Sequence, residues 1–131
     1  MTEFNKLSAL HAACFPEKPW TADDFAELKG SGAKIIMSDN SFLVYRLAAD
    51  EIEILTIGVR PDARRTLTAT ALLKVMENEV KKSGARAIFL EVAADNDAAI
   101  SMYEKNGYAR MGTRPGYYDG IDAITMKKEL I

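Results

Sequence analysis

The stretch that decides the fold is LEVAADNDAAISMYEKNGY, residues Leu90–Tyr108. It begins inside a nearly continuous apolar run, Ala87–Val92, which is typical of a central strand buried on both faces. Asp95 or Asn96 can then open a helix, and a glycine follows the last helical residue. The spacing therefore predicts a central strand followed at once by a helix over about Ala98–Asn106.

A second strand-to-helix junction lies upstream and is basic: Arg64–Leu73 reads RRTLTATALL. A helix N-terminus presents unpaired N–H groups and a positive dipole end, and guanidinium groups beside it add donors for an anion. The residues alone leave two interpretations open, a phosphate site or solvated arginines before an ordinary helix. Leu67 stands where a closely approaching backbone would most favour glycine.

The hydrophobic periodicity of the whole chain predicts an α/β fold, one mixed sheet with helices on its faces, in the order ααβββαβαββ. A loop rich in Gly, Pro and Tyr is expected between the last two strands. The predicted elements are helices over Leu7–Cys14 and from Thr21 to Leu28, strands Ile35–Met37, Phe42–Leu47 and Ile52–Val59, helix Thr68–Lys82, strand Ala87–Val92, helix Ala98–Asn106, and strands near Tyr108–Thr113 and Ala123–Lys128.

Composition narrows the class of protein. The chain has 131 residues, so one domain over residues 1–131 is expected, and its net charge of −2 argues against nucleic acid as a partner. One cysteine, Cys14, excludes an internal disulfide and suits a reducing compartment. The single histidine, His11, makes a metal site improbable. Without a secretory signal or a long apolar run, we expect a cytoplasmic protein and no membrane contact.

A strand that carries Glu91 and leads into a helix that carries Asn96 and Tyr103 can direct a carboxylate, an amide and a phenol into one crevice. An ionised carboxylate inside an apolar strand is costly unless water or a partner reaches it. The alternative is that Glu91 faces solvent, Asn96 only caps the helix and Tyr103 packs in the core. Glu53 offers a second carboxylate if it points inward.

Together these stretches resemble the GNAT N-acetyltransferase superfamily, and more narrowly its bacterial branch of ribosomal-protein alanine N-acetyltransferases. The resemblance is carried by HAACFPEKPWT (His11–Thr21), EIEILTIGVRPDARR (Glu51–Arg65) and Leu90–Tyr108, and it covers nearly the whole chain from residue 7 onward. The chain departs from the family twice. Leu67 replaces the first glycine of the cofactor loop, and the first strand is expected to be truncated or missing.

The resemblance implies acetyl-CoA as co-substrate, no metal, and direct acetyl transfer in a ternary complex to a primary amine. A protein N-terminus is the favoured acceptor, bound between the first helices and the loop at Tyr117 and Tyr118, and a small-molecule amine is the other possibility. An α-amine has a reference pKa near 8, so a modest base suffices. Glu91 would be that base, the Val59 N–H would stabilise the oxyanion, and Tyr103 would protonate the departing thiolate.

The cofactor contacts implied by the resemblance lie on both sides of the basic junction and on the last helix. They are Ile57, Gly58 and Val59 for the pantetheine, Arg64, Arg65, Thr66, Leu67, Thr68, Ala69 and Thr70 for the pyrophosphate, and Asn96 and Tyr103 for the rest of the arm. The rival interpretation is an impaired module that binds coenzyme A weakly or serves as a partner subunit, because Leu67 and the short start depart from the family. The joint presence of Glu91, Asn96 and Tyr103 favours the enzyme.

Overall fold

The computed structural model describes residues 3–64 and 67–130. Its elements follow the predicted order ααβββαβαββ, and among the described residues no strand precedes the first helix. The elements are α1 (Glu3–Cys14), α2 (Ala22–Gly30), β1 (Lys34–Met37), β2 (Ser41–Ala48), β3 (Glu51–Val59), α3 (Thr68–Lys82), β4 (Ala87–Ala93), α4 (Asp97–Lys105), β5 (Ala109–Tyr118) and β6 (Ile121–Glu129), with a 3-10 turn at Pro61–Ala63.

Six strands form one mixed sheet in the order β1-β2-β3-β4-β6-β5. The β3–β4 pair is parallel and is joined by the crossover helix α3, whereas the other four pairs are antiparallel. The parallel pairing is short, because it joins only Glu51–Glu53 to Ala87–Phe89. Beyond these residues β3 and β4 separate, and the sheet opens between its two halves.

The two faces of the sheet carry separate apolar clusters because side chains alternate along each strand. On β2, Phe42 and Val44 join the cluster under α1 and α2, whereas Leu43 and Tyr45 join the cluster under α3 and α4. The helices α1 and α2 lie against the β2–β3 part of the sheet, and the same face of β4 and β6 carries Phe89, Glu91, Thr125 and Lys127. This uncovered region is the surface on which a ligand can approach the sheet.

The sequence accounts for the helix boundaries. Thr21 accepts a hydrogen bond from the Asp24 N–H and Asp24 accepts one from the Thr21 N–H, so a capping box starts α2 as expected. The long helix α3 has the predicted bounds and buries Leu72, Met76 and other members of the predicted apolar stripe. It ends before Gly84, whose φ of +86° is in the left-handed region that glycine tolerates. The first helix is longer than expected and begins at Glu3.

The prediction of a loop rich in Gly, Pro and Tyr is wrong, because most of these residues belong to β5. This edge strand runs through Pro115 to Tyr118, and only Asp119 and Gly120 form the turn to β6. All ten residues of β5 are exposed, so no alternation of apolar and polar residues marks the strand in the sequence. Among the helices of the described residues, none has the length and apolar character needed to cross a membrane.

Candidate functional site

The gap between β3 and β4 is the centre of the candidate site. The Arg60 N–H donates to the Asn40 carbonyl, and hydrogen-bonded residues alternate along the antiparallel ladder between β3 and β2. The backbone N–H and C=O of Gly58 therefore point toward β2, and those of Ile57 and Val59 point away from it. The ladder is interrupted at Leu55, which faces no residue of β2 in the register. The structure therefore shows the expected separation of two strands and directs the peptide groups of Ile57 and Val59 into the gap.

Gly58 has no side chain, and this absence allows neighbouring elements to pack closely against β3. A Cβ at this position would lie 2.6 Å from the Phe42 ring and 2.9 Å from the Cys14 sulfur. Such distances are too short for any side chain, so the close approach of α1 and β2 to β3 requires glycine here. Of the three predicted pantetheine contacts, Gly58 differs from Ile57 and Val59 in the direction of its N–H.

The described part of the basic junction folds back on β3. Arg64 Nε donates to the Val59 carbonyl over 2.9 Å, and burial raises the pKa of the nearby Cys14 thiol while Arg64 partly offsets this rise. Arg60 is neutralised by Asp62 in an exposed ion pair of 2.9 Å, which raises the pKa of Arg60. The predicted contacts Arg65 and Thr66 lie outside the described residues.

The first turn of α3 follows directly. Leu67 is the N-cap residue, its φ is −87° and its ψ 16°, and its side chain is 79% exposed and provides no capping oxygen. The predicted contacts Thr68 and Ala69 are half-buried in the first turn. The Thr70 hydroxyl accepts a hydrogen bond from Asn106 Nδ2 over 3.3 Å, which ties the start of α3 to the end of α4.

Glu91 lies on β4 at the uncovered face, and its side chain is 25% exposed. One oxygen, Oε2, is buried and accepts no hydrogen bond from any described residue. Arg114 Nε of β5 lies 3.4 Å from this oxygen and forms an ion pair with it. The predicted alternative of a solvent-facing Glu91 is therefore not what the structure shows, because the carboxylate is partly buried against a cation.

Tyr103 of α4 is buried, and burial raises the pKa of its phenol well above the ordinary value, with a smaller contribution from Tyr118. The Tyr103 side chain belongs to the apolar cluster under α3 and α4, as the core-packing alternative predicts. The Tyr118 hydroxyl lies 3.4 Å from the Glu91 carbonyl and donates to it, and burial followed by the Glu91 charge raises the pKa of Tyr118. Tyr118 therefore contacts the backbone of the predicted base.

The remaining predicted residues have local partners. Asn96 is the exposed N-cap of α4 and accepts from the Ala99 N–H over 3.2 Å, so the expected capping role is confirmed. Glu53 is exposed and forms an ion pair of 2.7 Å with Arg46, so this second carboxylate is neutralised. Among the described residues, no cluster of three or more His, Cys, Asp or Glu side chains could hold a metal.

Two features of the site have no signal in the sequence. Arg114 meets Glu91 across an intervening strand, and the predicted end of its own strand, Thr113, placed it in a loop. Lys18, between α1 and α2, forms an exposed ion pair of 2.6 Å with Asp119 in the β5–β6 turn. The Lys18–Asp119 pair joins the two segments expected to form the acceptor groove, and both contacts depend on long-range pairings that no local pattern reveals.

Residues 9–108 match the Acetyltransferase (GNAT) family. The chain belongs to this family of acetyltransferases. A GNAT relative, ribosomal protein bS18-alanine N-acetyltransferase of Escherichia coli strain K12, is 32% identical over 109 residues, which cover 79% of this chain and 74% of the relative. The family and the enzyme class expected from the resemblance are thereby confirmed.

Solved GNAT structures agree with the fold. The ribosomal-protein-S18-alanine N-acetyltransferase of Escherichia coli superposes with a TM-score of 0.88 and 29% identity, covering 99% of this chain and 89% of the other. An aminoglycoside 6'-N-acetyltransferase complexed with coenzyme A has a TM-score of 0.84 at 19% identity, covering 98% of this chain and 91% of the other. The latter supports the fold alone.

Proposed function

We propose that the chain transfers an acetyl group from acetyl-CoA directly to the α-amine of a protein N-terminus. The observation that carries this proposal lies at the split sheet: Glu91 of β4 has a partly buried carboxylate, and α4, the next element, carries the buried phenol of Tyr103. A base and an acid on neighbouring elements suit the removal of a proton from an amine and the donation of one to a thiolate.

The described residues fit acetyl-CoA. The peptide groups of Ile57 and Val59 face the gap and suit the amide groups of a pantetheine arm. The first turn of α3 receives no cap from the Leu67 side chain, and Arg64 precedes this turn in the chain, so the segment suits a pyrophosphate. When bound, acetyl-CoA supplies the activated acetyl group. We assign the same pyrophosphate role to Arg65, Thr66, Thr68, Ala69 and Thr70, and an arm-positioning role to Asn96.

Each catalytic residue acts at one atom. The Glu91 carboxylate takes the proton of the acceptor amine, directly or through water. The Val59 N–H donates to the acetyl carbonyl oxygen as negative charge develops on it. The Tyr103 hydroxyl gives its proton to the departing sulfur.

The acceptor class rests on the relatives. The Escherichia coli relative that is 32% identical is named for the alanine of a ribosomal protein, which supports a protein N-terminus that begins with a small residue. A small-molecule amine is the second candidate acceptor, since the aminoglycoside acetyltransferase has the same fold. The uncovered face beside Glu91 is where either acceptor would approach.

The geometry at Leu67 argues against an impaired module. Its φ of −87° lies outside the left-handed region, so the backbone does not need glycine at this point, and the side chain is exposed. The backbone N–H of leucine is the same donor that glycine would offer.

The test combines binding and turnover. We expect calorimetry to show micromolar binding of acetyl-CoA, and release of the coenzyme A thiol to depend on peptides with a free N-terminal alanine and not on the same peptides with a blocked N-terminus. Tyr103→Phe should lower kcat by about a hundredfold, the usual contribution of a positioned acid. Full turnover by Tyr103→Phe would show that Tyr103 is not the general acid. Turnover with aminoglycosides or polyamines but with no peptide would favour the small-molecule acceptor.

A further inference from the structure

We propose that Arg114 is a positioning residue for Glu91, holding one oxygen of the carboxylate so that the other faces the acceptor amine. The inference rests on the proposed function, because it assigns a partner to the proposed base. Arg114 touches neither reacting atom and acts through Glu91.

The contact crosses a whole strand. Arg114 lies on β5 and Glu91 on β4, and β6 runs between them, so the two backbones are about 10 Å apart. The residue paired with Arg114 on the intervening strand is Ala123, which is small and fully buried. Glu91 pairs with Thr125 of the same strand, so the guanidinium reaches the carboxylate diagonally, past two short side chains of β6. The length of the arginine side chain allows the ion pair across the strand.

An irregularity in β5 holds the arginine in place. The ladder with β6 is in register at Arg114, is interrupted over the next residues, and resumes at Tyr118. Within this segment the Arg114 guanidinium lies 4.7 Å from the Tyr117 ring centroid, in cation–π geometry. Tyr117 packs against Tyr118, and the Tyr118 hydroxyl donates to the Glu91 carbonyl. The segment therefore reaches Glu91 at both its side chain and its backbone.

The ion pair leaves a defined task for each oxygen. Oε2 of Glu91 is buried and would be costly as a charge without the guanidinium 3.4 Å away. The exposed quarter of the side chain then leaves Oε1 as the oxygen open to an incoming amine. The other cation on this face, Lys127, pairs with Glu129 at 2.9 Å and lies over Phe89. Among the described residues, Arg114 is the cation in contact with Glu91.

The experiment is a double-mutant cycle on kcat with an N-terminal alanine peptide. We expect Arg114→Gln to lower kcat about tenfold and to leave the acetyl-CoA dissociation constant unchanged, because the side chain lies on the acceptor face. Arg114→Lys keeps the charge and should recover most of the activity. In the Glu91→Gln background, Arg114→Gln should cost nothing more, since the carboxylate that it positions is gone.

Arg110→Gln is the matched control, because Arg110 lies on the same strand and pairs with Glu104 of α4, away from Glu91. It should keep wild-type kcat. An equal loss from Arg114→Gln in both backgrounds would overturn the proposal and make Arg114 a substrate contact or a stability residue.

The proposed function can fail separately. If the wild-type chain acetylates no peptide, crystal structures of wild type and Arg114→Gln decide the inference. A displaced or disordered Glu91 carboxylate in the variant would uphold it, and an unchanged carboxylate would refute it.

Discussion

At the scale of single residues, Leu67 shows how a loop can lose a glycine without losing its backbone donors. An N-cap residue has an extended or bridging backbone conformation. Leu67 adopts the bridging conformation with a negative φ, and its side chain is exposed to solvent. Glycine at position 67 would allow positive φ values, which the observed conformation does not require.

Leu67→Gly should therefore change the acetyl-CoA dissociation constant by less than about threefold, because neither the backbone direction nor the donor set changes. Isothermal calorimetry on both proteins measures this. A tenfold or greater gain in affinity for the glycine variant would instead identify the leucine side chain as an obstacle in the cofactor site.

His11 illustrates a second residue-scale effect, a neutral histidine fixed inside an aromatic cluster. Its Nδ1 accepts the Trp20 N–H over 3.0 Å, and its ring stacks on Trp20 at 4.8 Å between the centroids. Burial lowers the pKa of His11 to about 4, and the charge of Asp24 offsets only part of this. The contact anchors the segment between α1 and α2 that faces the acceptor groove.

The pH dependence of stability follows from this pKa. Between pH 6.5 and 4 the unfolded chain binds a proton at His11 that the folded chain does not, so the free energy of unfolding decreases as the pH is lowered through this window. The loss should reach about 3 kcal/mol at the lower end. Urea unfolding should be measured at pH 7 and at pH 4.5. The free energy of unfolding should fall less between these two pH values for His11→Gln than for the wild type, because glutamine keeps a hydrogen-bond acceptor for Trp20 and does not titrate in this range. Equal losses in both proteins would assign the acid sensitivity to other groups.

At the scale of elements, α3 is fastened to the far half of the sheet by a buried ion pair. Glu77 of α3 is 3% exposed, accepts from Lys128 Nζ of β6 over 2.9 Å and from the Tyr108 hydroxyl over 3.1 Å. Burial, followed by the Glu77 charge, raises the pKa of Tyr108. Glu77 lies on the crossover helix α3 and Lys128 on β6. The ion pair therefore holds the helix that follows the basic junction against the part of the sheet beyond β3.

Lys128→Met should lower the free energy of unfolding by about 3 kcal/mol, because the cation that remains near the buried Glu77 carboxylate, Lys74, is exposed and lies 3.9 Å away. Chemical denaturation measures the change. The double variant Glu77→Gln/Lys128→Met removes the charge and keeps an acceptor for Tyr108, so it should be more stable than Lys128→Met alone. A double variant less stable than the single one would contradict this account.

The elements also differ in how far their sequences predict them. The helix α3 and the strand β4 carry strong periodic patterns, and their bounds agree with the prediction within one residue. The strand β5 carries none, since all its residues are exposed, and its proline and glycine resemble loop residues. Tertiary pairing with β6 decides its structure.

At the scale of the whole molecule, the same distinction separates the predicted part of the site from the rest. Local spacing was enough to place Glu91 on β4 and Asn96 and Tyr103 on α4, the helix that follows. The pairing of Glu91 with Arg114 depends on the strand order β4-β6-β5, which places a later strand between two earlier partners. No local pattern contains that order.

The full exposure of β5 has a further consequence for how the molecule responds to heat. A strand at the sheet edge with no buried residue gains little from the apolar core, and such segments open in local fluctuations well below the global free energy of unfolding. Each opening would carry Arg114, Tyr117 and Tyr118 away from Glu91 while both apolar clusters stay intact. Turnover would then decline at temperatures at which the protein is still folded, and amide hydrogens of β5 would exchange ahead of those in β2.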